Sequence, residues 1–249
     1  AHLVAERGAA PWKILAVTFT NKAAAEMRQR LSSLVPRGAT ELWVGTFHAI
    51  CARILRRHAE AAGVRADFVI YDDSDQRAML ARIVRDLGLD ERRYHPRLLA
   101  AIINRAKNEA IGPDTFQTSN DFDRVHLRVY ETYEKRMAQA GAMAFGDLIF
   151  RLVASMQRSP ALLDELQQRF SHVLVDEYQD TNRVQYLLLR GLCEQHRNLC
   201  VVGDDDQSIY RFRGASLSNI MRFSDLYPAC HKVVLTENYR SGQKILDAA

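Results

Sequence analysis

A chain of 249 residues, 47% hydrophobic and 26% charged, has the composition of an ordinary soluble globular protein with room for one large or two small domains. No apolar run approaches the ~20 residues of a membrane span, and the opening Ala1-His2-Leu3-Val4-Ala5-Glu6-Arg7 lacks the charged head and long apolar body of a signal peptide. The formal charge of +4 and pI of about 8.9 permit a nucleic-acid partner without demanding one.

The chain begins without Met, as a fragment or a processed form would. Ile14 to Phe19 is a compact apolar run and predicts a strand. The helix-favouring Ala23 to Leu31 follows at once, with Thr20 or Asn21 as its N-cap. Leu42 to Phe47 predicts a second strand and His48 to Ala62 a helix. Strands alternating with helices imply a parallel sheet. From about Ser74 to Phe170 helical periodicity takes over: Ser74 caps a helix ending at Gly88, Pro96 starts the next, and Val125–Ala140, Phe145–Met156 and Pro160–Phe170 follow. No strand is predicted within this stretch. Alternation then resumes with strand Val173–Val175, helix Arg183–Cys193, and strands Leu199–Val202 and Val233–Leu235. The four cysteines, Cys51, Cys193, Cys200 and Cys230, form no CxxC pair. They read as buried, reduced thiols in a cytosolic protein.

Three of the strands end in polar clusters: Asp176-Glu177, Gly203-Asp204-Asp205-Asp206-Gln207, and Glu237-Asn238-Tyr239-Arg240. In a parallel sheet these ends share one edge. They offer a carboxylate for a metal, a base, an amide to orient water and an arginine. Phosphoryl transfer needs those parts, because its catalysis is mostly positioning and charge stabilisation. One Asp-Glu pair alone is most often a polar strand-to-loop boundary; three clusters weaken that reading.

The longer motifs resemble the UvrD/PcrA/Rep group of superfamily 1 DNA helicases. Thr18-Phe19-Thr20-Asn21-Lys22-Ala23-Ala24 resembles motif Ia, and Gly45-Thr46-Phe47-His48 the next DNA-contacting motif. Val175-Asp176-Glu177-Tyr178-Gln179-Asp180-Thr181 resembles the Walker B motif II. Gly203 to Ala215 resembles motif III, and Glu237-Asn238-Tyr239-Arg240-Ser241 motif IV. The resemblance implies ATP and Mg²⁺ as cofactors. Asp176 would hold Mg²⁺, Glu177 would be the general base, Gln207 would sense the γ-phosphate, Arg240 would be an arginine finger and Tyr239 would stack on adenine. Single-stranded DNA would meet aromatic rings and cations at Phe19, Asn21, Lys22, Thr46, Phe47, His48, Tyr210, Phe212 and Arg213. For Phe19 and Phe47 core packing is the competing reading. Phe212 stands where the family usually has Trp. Phe145-Gly146-Asp147-Leu148 resembles a family segment and reads as structural, and the arginines of Arg53 to Arg57 as a solvated helix face.

The implied fold is α/β: a RecA-like parallel sheet with flanking helices, interrupted by an all-helical inserted subdomain. The divisions are 1–73, 74–170 and 171–249. The implied activity is ATP-dependent 3′ to 5′ movement on single-stranded DNA and single/double-strand junctions, in cytoplasmic DNA repair or replication. Protein partners are not indicated. No G-x-x-x-x-G-K-[ST] phosphate loop occurs in the 249 residues, so an isolated piece is expected to be inactive. The alternative is a non-catalytic DNA-binding or interaction module derived from a helicase.

Overall fold

Local sequence signals set most of the elements. In the computed structural model, which describes residues 1–207 and 218–246, they are, in chain order, α1 (His2–Ala5), β1 (Ile14–Thr18), α2 (Asn21–Leu34), β2 (Trp43–Thr46), α3 (Phe47–Arg57), α4 (Ala59–Ala62) and β3 (Val69–Tyr71). The middle of the chain forms α5 (Asp73–Asp86), α6 (Pro96–Asn108), α7 (Asp121–Gln139), β4 (Ala142–Ala144), α8 (Phe145–Arg158) and α9 (Pro160–Arg169). Then come β5 (His172–Val175), α10 (Arg183–Cys193), β6 (Leu199–Val201) and the single turns α11 (Ser218–Met221), α12 (Phe223–Leu226) and α13 (Gln243–Leu246).

Four strands form one parallel sheet in the order β2-β1-β5-β6. A strand covered on both faces needs apolar side chains throughout, and β1 is buried at every position. The first core joins this sheet to α3, α8, α9 and α10, with Trp43, Leu55, Leu152, Phe170 and Leu188 among its members. Thus α8 and α9, placed with the helical stretch by periodicity, bury their apolar faces against the sheet side. A second core, built on Leu80, Ile83, Ile103, Tyr130 and Tyr133, holds α5, α6 and α7 together.

The helical stretch is not wholly helical. Ala142–Ala144 pairs in parallel with Val69–Tyr71 as a separate two-stranded sheet. Alanines have low strand propensity, so only the distant partner strand reveals this element. The predicted strand at Val233–Leu235 does not form; its side chains are exposed and the described sheet ends at β6. The cap of α5 is Asp72 rather than Ser74: Asp72 accepts from the Ser74 and Asp75 N–H groups, and Asp75 returns a bond to the Asp72 N–H, a capping box.

Cys51 and Cys193 are buried, and burial pushes both thiols up, Cys193 to about 12. Cys200 departs from expectation. It is exposed, because β6 is an edge strand. Two arginines of α3 lie over aromatic rings: Arg53 over Trp43 at 3.8 Å and Arg56 over Phe68 at 4.7 Å. They cover the core as well as facing water. Among the described residues no helix is long and apolar enough to cross a membrane.

Candidate nucleotide and DNA site

The strand order decides which side chains become neighbours. All four strands run the same way, so the residues following them share one edge of the sheet. Across that edge the order is His48 after β2, Phe19 after β1, Asp176-Glu177 after β5 and Gly203-Asp204 after β6. Aromatic groups therefore stand at one end and carboxylates at the other. His48 and Asp176 are separated by two strand spacings, about 10 Å.

Asp176 continues the ladder, its N–H donating to the Val17 carbonyl at 3.0 Å. Partial burial and the adjacent Glu177 charge push its carboxyl above the usual carboxylate range, while the Glu177 N–H and the Thr18 hydroxyl pull it back. A hard cation would relieve both unfavourable effects. Magnesium takes one or two carboxylates and completes its shell with water and phosphate oxygens. The donor set here, Asp176 beside the Thr18 hydroxyl, fits that habit. Among the described residues no group of three or more His, Cys, Asp or Glu side chains could hold a metal by itself.

Glu177 adopts the left-handed conformation, φ 54°, uncommon for a residue with a side chain. The turn is held by the Tyr178 N–H on the Val202 carbonyl at 2.9 Å and the Asp180 N–H on the Glu177 carbonyl at 2.9 Å. The conformation turns the Glu177 side chain out of the strand, where it is exposed. Gln179, only 1% exposed, bridges the two carboxylate-bearing loops. Its Nε2 donates to Glu177 Oε2 at 2.7 Å, and its Oε1 accepts the Asp204 N–H at 3.1 Å. Gln207 instead donates to the Asp204 carboxylate.

Gly203 leaves Gln179 its space. A Cβ there would lie 2.6 Å from Gln179 Oε1 and 2.8 Å from Ile220 Cδ1. Gly203→Ala is therefore expected to displace Gln179, costing about 1–3 kcal/mol of packing. The loss should appear as a lower melting temperature; an unchanged one would show that Gln179 yields its place without cost.

On the aromatic side Phe19 is half-buried and meets Phe47 edge to face at 5.4 Å. Phe47 itself is 2% exposed and belongs to the core. It cannot present a face to a base and instead backs Phe19, so the core reading describes its contacts. Thr46 caps α3, accepting the Ala49 N–H at 3.3 Å, and Thr20 caps α2, accepting the Ala23 N–H at 3.1 Å. Asn21 and Lys22 are exposed in the first turn of α2. His48 is half-buried, and burial pushes its pKa down, so at neutral pH it offers an uncharged ring.

The model of the UvrD/REP helicase N-terminal domain matches residues 1–228. The chain belongs to the UvrD/REP helicase family. It is 44% identical over 251 residues to the ATP-dependent DNA helicase PcrA of Bacillus subtilis (strain 168) and 48% identical over 262 residues to the ATP-dependent DNA helicase UvrD1 of Mycobacterium bovis. Each comparison covers 100% of this chain and 34% of the relative. The chain therefore spans about a third of the length of these curated relatives.

Within this UvrD/REP helicase chain, two residues gain importance that the sequence did not assign them. One is Gln179, whose amide touches Glu177. The other is Phe145, read as structural. It is 55% exposed, and its ring meets His48 edge to face at 5.5 Å. Both were missed because the contacts that place them, Gln179 Oε1 with the Asp204 N–H and Phe145 with His48, join distant elements. A phenylalanine opening an amphipathic helix gives no signal that it will face water.

Tyr239 and Arg240 are not brought to the carboxylate pair. Tyr239 is 90% exposed with its phenol on Glu237, and the Arg240 N–H donates to Asn238 Oδ1 at 2.9 Å. Tyr210, Phe212 and Arg213 lie outside the described residues.

Proposed function

We propose that this chain is the part of an ATP-driven DNA motor that carries the hydrolytic carboxylates and one side of the single-strand path. The observation that supports it most directly is the shared sheet edge: Glu177, held by Gln179, stands one strand from Phe19 and two from His48, which carries Phe145 beside it. Glu177 Oε2 is occupied by the Gln179 amide, which leaves Oε1 to accept the proton of the attacking water. Asp176, with the Thr18 hydroxyl nearby, would hold Mg²⁺, and the ion would supply neutralisation of phosphate charge. Gln207 is assigned to γ-phosphate sensing, Arg240 to γ-phosphate charge and Tyr239 to adenine stacking, all on motif resemblance.

On the DNA side, exposed aromatic faces suit stacking of successive bases, worth about 1–3 kcal/mol per base. Asn21 and Lys22 reach the phosphates. The whole protein is proposed to move 3′ to 5′ on single strands and at single/double-strand junctions, in cytoplasmic DNA repair or replication. The 249 residues alone are proposed to hydrolyse ATP negligibly.

The test is ATP hydrolysis by the complete protein with and without single-stranded DNA. Stimulation by DNA, weakened as salt rises, is expected. A protein that binds DNA yet hydrolyses no ATP under any condition is instead a non-catalytic module.

A further inference from the structure

Helix α6 ends in two neighbouring polar residues whose side chains serve different partners. Lys107 is 1% exposed. Its ammonium pairs with Asp147 of α8 and, at 2.6 Å, with Glu134 of α7. The rings of Tyr133 and Tyr130 lie 4.9 and 5.5 Å from it. The second oxygen of Asp147 accepts the Ala144 N–H at 2.7 Å. That bond fixes the junction between β4 and α8, and Phe145 stands at this junction against His48.

Asn108 turns to the other site. Its Oδ1 accepts from Asn182 Nδ2 at 3.2 Å. Asn182 caps α10 through the Gln185 N–H at 3.0 Å and closes the loop that begins at Glu177. The preceding residue, Thr181, is tied back to the Tyr178 carbonyl at 2.7 Å. Helix α6 packs on both α8 and α10. One helical turn thus touches the support of the aromatic ledge and the far end of the carboxylate loop. Adjacent residues of one helix share its backbone, which gives the two contacts a contiguous physical connection.

We infer that the Lys107–Asn108 end of α6 is a positioning strut, through which DNA seated on the Phe145–His48 ledge sets the geometry of the Glu177 loop. The inference rests on the motor reading above. Neither residue touches the reacting atoms. Their role is to make hydrolysis depend on DNA.

The experiment uses the complete protein, ATP and single-stranded DNA. Asn108→Leu removes the acceptor but leaves Lys107 and the α10 cap in place. The melting temperature, the DNA-free hydrolysis rate and the single-strand affinity are expected to match wild type. The ratio of DNA-stimulated to DNA-free rate is expected to fall about tenfold, within the usual range of coupling between sites. Asn108→Asp, which keeps an acceptor, should restore most of that ratio. Asn108→Leu with a wild-type ratio overturns the strut, and so does an equal loss in both variants. If wild-type hydrolysis ignores DNA, the motor reading fails and takes the strut with it. If wild type responds and Asn108→Leu responds equally, the strut alone fails.

Discussion

Glu177→Gln in the complete protein is expected to lower ATP turnover by about 10²–10⁴-fold, the range typical for loss of a general base. Nucleotide affinity should stay close to wild type. The substitution is nearly isosteric. The new amide oxygen can still accept from Gln179 Nε2, the contact seen at 2.7 Å, so the turn at φ 54° keeps its support. What disappears is the ability to take a proton. Single-turnover hydrolysis and fluorescent-nucleotide titration separate the two effects. Surviving turnover would remove Glu177 from the role of base. Lost binding would mean that its charge holds the nucleotide site together.

The second large effect concerns stability. Lys107→Met is expected to destabilise the fold by about 3–5 kcal/mol, because it strands a buried charge. Asp147 is as buried as Lys107, and Glu134 would be left with Arg151 alone. The double variant Lys107→Met/Asp147→Asn should recover a substantial part of that loss, since the carboxylate charge is gone while the amide oxygen still accepts the Ala144 N–H. Urea unfolding of the two single variants and the double gives the coupling directly. Additive losses would show that the pair does not act as a unit. The cluster joins α6, α7 and α8, so its loss should loosen the second core before the sheet.

Much of the fold was legible because parallel strands covered on both faces write themselves as continuous apolar runs. The strands predicted at Ile14–Phe19 and Val173–Val175 form at Ile14–Thr18 and His172–Val175, each within one residue. Helix starts were legible at α2, where Thr20, offered with Asn21 as the cap, is the N-cap, and at α10, which starts at Arg183 as predicted. Asp72 was misassigned to Ser74, although the acidic residue three positions on, Asp75, is the signal of a capping box. Ala142–Ala144 gave no such signal, because two of its three residues are alanines of low strand propensity and its pairing with Val69–Tyr71 is a tertiary event. Val233–Leu235 has the pattern of a strand and no partner among the described elements.

The sequence by itself determined the family, the order of the motifs and the residue types available for ATP and DNA chemistry. These depend on local spacing, and spacing is what a sequence records. Only the tertiary structure decided that Gln179 holds Glu177, that Phe47 is core while Phe145 is exposed beside His48, and that Lys107 and Asn108 reach two different sites. The last two arise from strand order and helix packing, which bring together side chains far apart in the chain; Gln179 meets its near neighbour Glu177 across the left-handed turn and reaches the distant Asp204 with its other amide atom. Hydrogen bonds at about 3 Å and buried charges are settled by that meeting, not by the residues' own propensities.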